Sequence, residues 1–269
     1  MPRLTHPKGT GYQRDLYRVE GVPHEQANAI ERVFMGMVDS GAKAALDKIA
    51  SGDGSPWTSH MRSAWTRFIL SLIFRNPEAV AIIKAQLFAI WEAAFASLRS
   101  NYQGWRRPTD PATLDEYMAL IDPADRYKAP FVFLQEMIDN DRFGNTVFNM
   151  TWHRISLHES ALPLLISDRP LERHLGWDSP EAYIALPIAP KMLFVAAHDG
   201  RWAERIRSAN QTQTVAHLNR ATIRRARKFV WGIDDNYLNR VQELMSLDPD
   251  QMLITDDQRQ KAIDVAAGK

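Results

Sequence analysis

The sequence predicts an α+β fold, a helical N-terminal half packed with a small, mostly antiparallel sheet and further helices in the C-terminal half. Three observations carry this. Apolar residues recur at helical spacing through the first 140 positions. Short apolar runs with period-two or continuous patterning appear only after Gly144. A basic, helix-patterned stretch then follows them.

The elements follow in order. Residues 1–24 carry Pro2, Pro7, Gly9, Gly11, Gly21 and Pro23, a looped or extended start with no apolar run of the kind a secretory leader needs. Ile30, Phe34, Met37, Val38, Leu46 and Ile49 share one side of a helix over about 25–49. Ser51–Pro56 (SGDGSP) breaks it. A second helix spans about 57–74 on a stripe of Trp65, Phe68, Ile69, Leu72 and Ile73, and Asn76 before Pro77 ends it. Pro77 opens a third helix to about Arg99, apolar on most sides. Its span 79–98 contains Lys84, Gln86 and Glu92, so it reads as a buried helix and not a membrane crossing. Asp110 as N-cap and Pro111 as first helical residue predict a short helix to about Ile121, and another runs over about 123–140 with a kink at Pro130.

The period then changes. Thr146–Leu157 alternates as a strand, with Phe148, Met150 and Trp152 on one face and Val147, Asn149, Thr151 and His153 on the other. Further strands are expected over 162–166, 182–188 and 192–197, the last two joined at Ala189-Pro190-Lys191 as a hairpin or sharp corner. A long helix is expected over 201–227, a last strand over 228–231 and a last helix over 235–245. The arrangement reads as one domain over 1–247 with a soft boundary near 144, followed by a polar tail, 248–269.

Composition excludes several classes. No cysteine is present among 269 residues, which removes disulfides, thiolate metal sites and a cysteine nucleophile and fits a cytoplasmic setting. The net charge of +1 gives no global electrostatic case for nucleic acid or a membrane surface. The P-loop, G-x-G-x-x-G, H-E-x-x-H and G-x-S-x-G signatures do not occur.

Two local features carry chemistry. Ser167-Asp168-Arg169-Pro170 follows an apolar strand, where a rigid sheet holds loop side chains. Asp168 suits a general base or a metal carboxylate and Arg169 an anion clamp, against the plainer reading of a turn-capping Asp. His153, His158 and Glu159 lie upstream, and His153 and His158, five apart, fall on opposite faces of a continuous strand. Glu31 and Asp39 lie two helical turns apart on the first helix, so Asp168, Glu31 and His153 together are candidates for a catalytic group. The cofactor stays open, with a divalent metal the one these groups suggest. Arg75 is a candidate phosphate ligand or a helix-terminal charge.

The second feature is the stretch Arg201–Lys228, with eight basic residues and one acid, Glu204. On a helical wheel Arg220, Arg224 and Arg227 share a side opposite Val215, Leu218, Thr222 and Ala226. Such a face suits nucleic acid or another phosphate-bearing ligand, and equally internal pairing with acidic residues.

An ordered set of short motifs adds a resemblance. Pro7-Lys8-Gly9-Thr10-Gly11-Tyr12 stands ahead of Leu16-Tyr17, Ile30-Glu31 opens a helix containing Asp39, and Arg75-Asn76-Pro77 closes the next. Leu165 to Pro170 (LISDRP), Leu186 to Pro190 (LPIAP) and Asn219 ahead of Ala226 follow. This order resembles the bacterial family known as domain of unknown function 4238, over roughly Pro7 to Met245. Members usually begin with a His-x-x-Pro-x-x-Tyr-Leu-like run that this sequence lacks, so a site using that run would be built differently here. The resemblance implies no activity. The residues themselves suggest a nucleic-acid-acting hydrolase in a defence setting, or a non-enzymatic nucleic-acid or protein binding module that uses the basic stretch.

Overall fold

The computed structural model describes residues 10, 36–74, 76–120, 135, 136, 138–174, 179–248, 260, 261 and 263–265. The chain divides into two compact units. Among the described residues the first unit holds the sheet and comprises 10, 36–74, 76, 138–174 and 179–248; the second comprises 77–120, 135, 136, 260, 261 and 263–265. The fold is α+β, as the change of period near residue 150 requires.

In the first unit, helix α1 spans Gly36–Ser51 and α2 spans Ser59–Phe74. The predicted stripes are met in part: α1 buries Val38 and Ile49 together with Ala42 and Ala45 while Met37 is exposed, and α2 buries Trp65 and Ile69 together with Leu70 and Phe74. Helix α1 ends in a Schellman turn. Gly52 takes φ 72°, its N–H donates to Ile49 O, and Asp53 N–H donates to Lys48 O.

Helix α5, Asp141–Asn149, takes in the first four residues of the expected strand, 146–149. Asn140 caps it by accepting from the N–H groups of Arg142 and Phe143. The apparent alternation of Phe148, Met150 and Trp152 therefore spans a helix end and a strand start. Strand β1 begins at Thr151 and ends at Ser156.

Strands β3 (Glu172–His174), β4 (Tyr183–Ala189) and β5 (Met192–Ala197) complete an antiparallel sheet in the order β1-β5-β4-β3. β4 and β5 form the expected hairpin, with a bulge between Pro187 and Ala189 where proline has no N–H for the ladder. β5 is buried along its whole length because both faces of the sheet are covered. Leu193 and Val195 pack with Ile155, Leu157, Ala203 and Val215, the side of α6 (Arg201–Ser208) and α7 (Gln211–Arg225). Phe194 faces the other way and meets the rings of Trp65 and Trp152.

The long basic helix expected over 201–227 is two helices. Ala209 is extended and Asn210 caps α7 by accepting from Gln213 N–H, so the chain breaks and restarts between them. Strand β2, Ile166–Ser167, pairs with β6, Val230–Trp231, in a separate ladder, and α8 spans Leu238–Leu244.

The second unit carries α3, Pro77–Trp105, and α4, Leu114–Ala119. The expected N-cap at Asp110 falls three residues early. Thr113 caps α4 in a reciprocal box with Glu116, while Asp110 accepts from Arg107 N–H in the preceding turn. Tyr102 is buried with Leu114 and Met118, and its hydroxyl donates to Pro111 O. Most of 123–140, with the expected kink at Pro130, and most of the 248–269 tail lie outside the described residues. Among the described residues no helix is long and apolar enough to cross a membrane.

Candidate functional site

The sequence-derived candidates separate into those the fold ties up and those it leaves open. Asp168 sits directly after β2. Its Oδ1 accepts from Arg227 N–H at 2.9 Å and its Oδ2 from Lys228 N–H at 2.8 Å. Both carboxylate oxygens thus cap the backbone entering β6, and Asp168 N–H in turn donates to Phe229 O. Arg169 folds back, donating from Nη1 to Asp168 O and from its N–H to Ser167 Oγ. These bonds describe a side chain welding two chain segments.

Half of the basic stretch is paired within the molecule. Arg224 bonds Asp248, Arg225 bonds Glu172 at 2.5 Å, Arg227 donates to Asp248 O at 2.6 Å, and Arg201 grips Asp199. Glu172 also accepts from Tyr183 OH, and burial followed by that carboxylate pushes the Tyr183 phenol up to about 12. Arg220 is exposed on α7, as are Arg205 and Arg207 on α6 and Lys228 beyond α7.

His153 stands on β1, on the face that carries Ile155 toward α6. Its Nε2 is buried without a hydrogen-bond partner. Burial first, then the positive charge of Arg207, lowers its pKa and favours the neutral ring, with Glu204 opposing. His158 is exposed in the turn after β1, and Glu159 is tied to Gln211 at the start of α7. Asp39 is exposed in the first turn of α1, where an acid suits the helix dipole. Glu31 and Arg75 lie outside the described residues. Among the described residues, no group of three or more His, Asp or Glu side chains stands close enough together to hold a metal.

A cavity of about 290 Å³ opens elsewhere in the first unit, between the end of α1 and the outer face of β1. Sequence reasoning missed it. Lys48, Gly52, Asp53 and Trp57 come from α1 and its exit loop, Trp152 and Arg154 from β1, and Phe194 from β5. Trp152 and Arg154 share a face because they are two apart on a strand. His153 also borders the cavity, but alternation along β1 sends its ring to the far side.

The wall is aromatic. Trp57 meets Trp152 edge-on at 5.1 Å, and Trp152 meets Phe194 edge-on at 5.5 Å. The Arg62 guanidinium lies 4.0 Å over Trp152 while donating to Phe148 O and Met150 O, which fixes the indole from behind and closes the end of α5. Trp152 Nε1 donates to Val147 O.

The charges are unequal in their satisfaction. Lys48 is buried, and its Nζ donates to Asp53 Oδ2 at 3.0 Å and Ser55 Oγ at 2.5 Å. Asp53 also accepts from Ser55 N–H and O–H. The Ser55 bonds, backbone first, and then Lys48 bring the Asp53 carboxyl down to about 2. This pair neutralises itself. Arg154 is exposed, and its Nε points at Met192 Sδ, 3.3 Å away, a weak acceptor. Its two terminal nitrogens have no partner among the described residues, and its guanidinium lies over Gly52.

Among known proteins, a family model described as Protein of unknown function (DUF4238) matches residues 2–236, and the chain belongs to that family. No curated protein and no solved structure matches it.

Proposed function

We propose that this member of the family is a binding protein whose site is the cavity between α1 and β1, and that its ligand carries an anionic group. One observation carries this reading: the guanidinium edge of Arg154, without a partner among the described residues and set over a cavity whose other charges cancel. A guanidinium presents donors in a planar fork that suits carboxylate or phosphate, and a cation held over a concave, ring-lined surface is how small-ligand sites combine affinity with orientation. The test is calorimetric titration with inorganic phosphate. The wild type binds, and Arg154→Ala loses at least about tenfold in affinity, which corresponds to about 1.4 kcal/mol. Equal binding by both proteins would remove the reading.

A second reading keeps nucleic acid as partner through the basic stretch. The exposed Arg205, Arg207, Arg220 and Lys228 favour it, since none makes an ion pair with a described carboxylate. It predicts salt-sensitive binding of labelled DNA or RNA that weakens when these four are replaced by Ala. A hydrolytic version would place chemistry on Asp168, with Arg169 beside it. It predicts metal-dependent shortening of the probe that Asp168→Asn abolishes. The two backbone N–H groups already bonded to Asp168 support a structural role for that carboxylate instead.

A further inference from the structure

We infer that the cavity between α1 and β1 selects a single planar nitrogenous ring bearing the anionic group, a nucleotide unit in chemical terms, with the ring against Trp57 and Trp152 and the anion at Arg154. The inference rests on the binding reading above and names its ligand class.

Three features point there. First, the cavity holds about 290 Å³, the low end of small-molecule sites, which limits the occupant to one or two rings with a short polar arm. Second, the wall is two half-buried indoles already held by other contacts. Trp152 is pinned by Arg62 and by its own bond to Val147 O, and Trp57 is braced edge-on against it. A pre-fixed indole loses little freedom when a ring packs on it, and base–aromatic stacking is tolerant of base identity. Third, the charges are separated by role. Lys48 is consumed by Asp53 and Ser55, which leaves Arg154 as the anion donor. Asp53 stays ionised and half exposed at the cavity, an acceptor for a ring N–H. A bare phosphate would use only Arg154. A neutral ring would use only the indoles and Asp53. A ring carrying a phosphate uses both sets at once.

The same chemistry occurs in a free mononucleotide and in the terminal or unstacked nucleotide of a strand. The cavity itself accepts one unit; the exposed Arg205, Arg207, Arg220 and Lys228 belong to other elements and carry no part of this inference.

The experiment titrates the full chain with adenosine 5′-monophosphate, adenosine, inorganic phosphate and a short single-stranded oligonucleotide. It follows tryptophan fluorescence and, in parallel, heat. The monophosphate quenches saturably and binds at least about tenfold more tightly than adenosine or phosphate, the scale expected of one stacked base. Trp57→Ala brings the monophosphate down to the affinity of phosphate while phosphate binding is kept. Trp57→Phe, which retains a ring, restores most of the difference, and this pair separates lost stacking from lost folding. Arg154→Ala brings the monophosphate down to the affinity of adenosine. An oligonucleotide competing at the same site with equal or better affinity assigns the strand as the source; failure to compete assigns the free nucleotide. Phosphate binding through Arg154 with no gain from the ring overturns this inference and leaves the binding reading standing. No binding of any probe overturns both.

Discussion

Two polar clusters in the first unit use the same side-chain types to opposite ends. At the β2–β6 junction, Asp168 spends both oxygens on backbone N–H groups, Arg225 and Arg224 each hold a carboxylate, and Asn219 is fully buried with Leu165 N–H and Pro163 O as partners. At the end of α1, Lys48 and Asp53 close on one another, but Arg154 keeps its fork open above an aromatic wall. In the first cluster the carboxylates are bonded to backbone N–H groups or to arginines, and Arg225 Nε, without a partner among the described residues, is buried, so the cluster does structural work. The second has capacity directed at a cavity. The comparison teaches that a conspicuous Asp-Arg motif is a poor guide to chemistry until its hydrogen bonds are followed to their ends.

Substitutions in each cluster sharpen the contrast. The largest effect is expected at Asn219. Asn219→Ala leaves a buried N–H and a buried carbonyl unsatisfied, and stability falls by about 3 kcal/mol in denaturant unfolding. A loss below about 1 kcal/mol would mean water replaces the amide there. Next is Asp168→Asn, which trades a charge-assisted double acceptor for a single one and costs about 1–2 kcal/mol of stability with ligand affinity unchanged. A fall in affinity at unchanged stability would reverse the roles of the two clusters. Arg154→Ala does the opposite: stability moves by less than about 0.5 kcal/mol, because the residue is exposed and bonded only to a thioether, while anion affinity drops.

The smallest effect is on acid stability. The Asp53 carboxyl lies at about 2 in the folded chain against an ordinary 3.8. The unfolded chain binds the proton more readily, so this contribution is fully present above pH 3.8 and disappears as pH falls toward 2. Asp53→Asn removes that slope from acid unfolding curves. An unchanged curve would show that the Ser55 and Lys48 bonds do not persist in solution.

The sequence made helices α1 and α2 and the β4–β5 hairpin legible, because each lies within one continuous pattern, though Met37, expected on the apolar side of α1, is exposed. Two elements misled. Phe148, Met150 and Trp152 alternate across the join of α5 and β1, although Asn140-Asp141 already carried the N-cap signal for a helix there. Asn210 carried the same signal between α6 and α7. The pairing of the arginines was hidden for another reason. Arg224 finds Asp248 at a separation of 24 residues and Arg225 finds Glu172 at 53, and no local pattern encodes such partners. The cavity was hidden in the same way, since about a hundred residues separate Lys48 and Trp57 from Trp152 and Arg154. The available hint was a tryptophan and an arginine two apart on a strand, one face presenting a ring and a cation.

The most direct measurement is a parallel titration of wild type, Arg154→Ala and Asp168→Asn with adenosine 5′-monophosphate, each preceded by a thermal melt. The account predicts that Asp168→Asn melts earlier and binds like wild type, while Arg154→Ala melts like wild type and binds at least about tenfold more weakly. Unchanged binding in Arg154→Ala together with lost binding in a folded Asp168→Asn would contradict it and return the site to the β2–β6 junction.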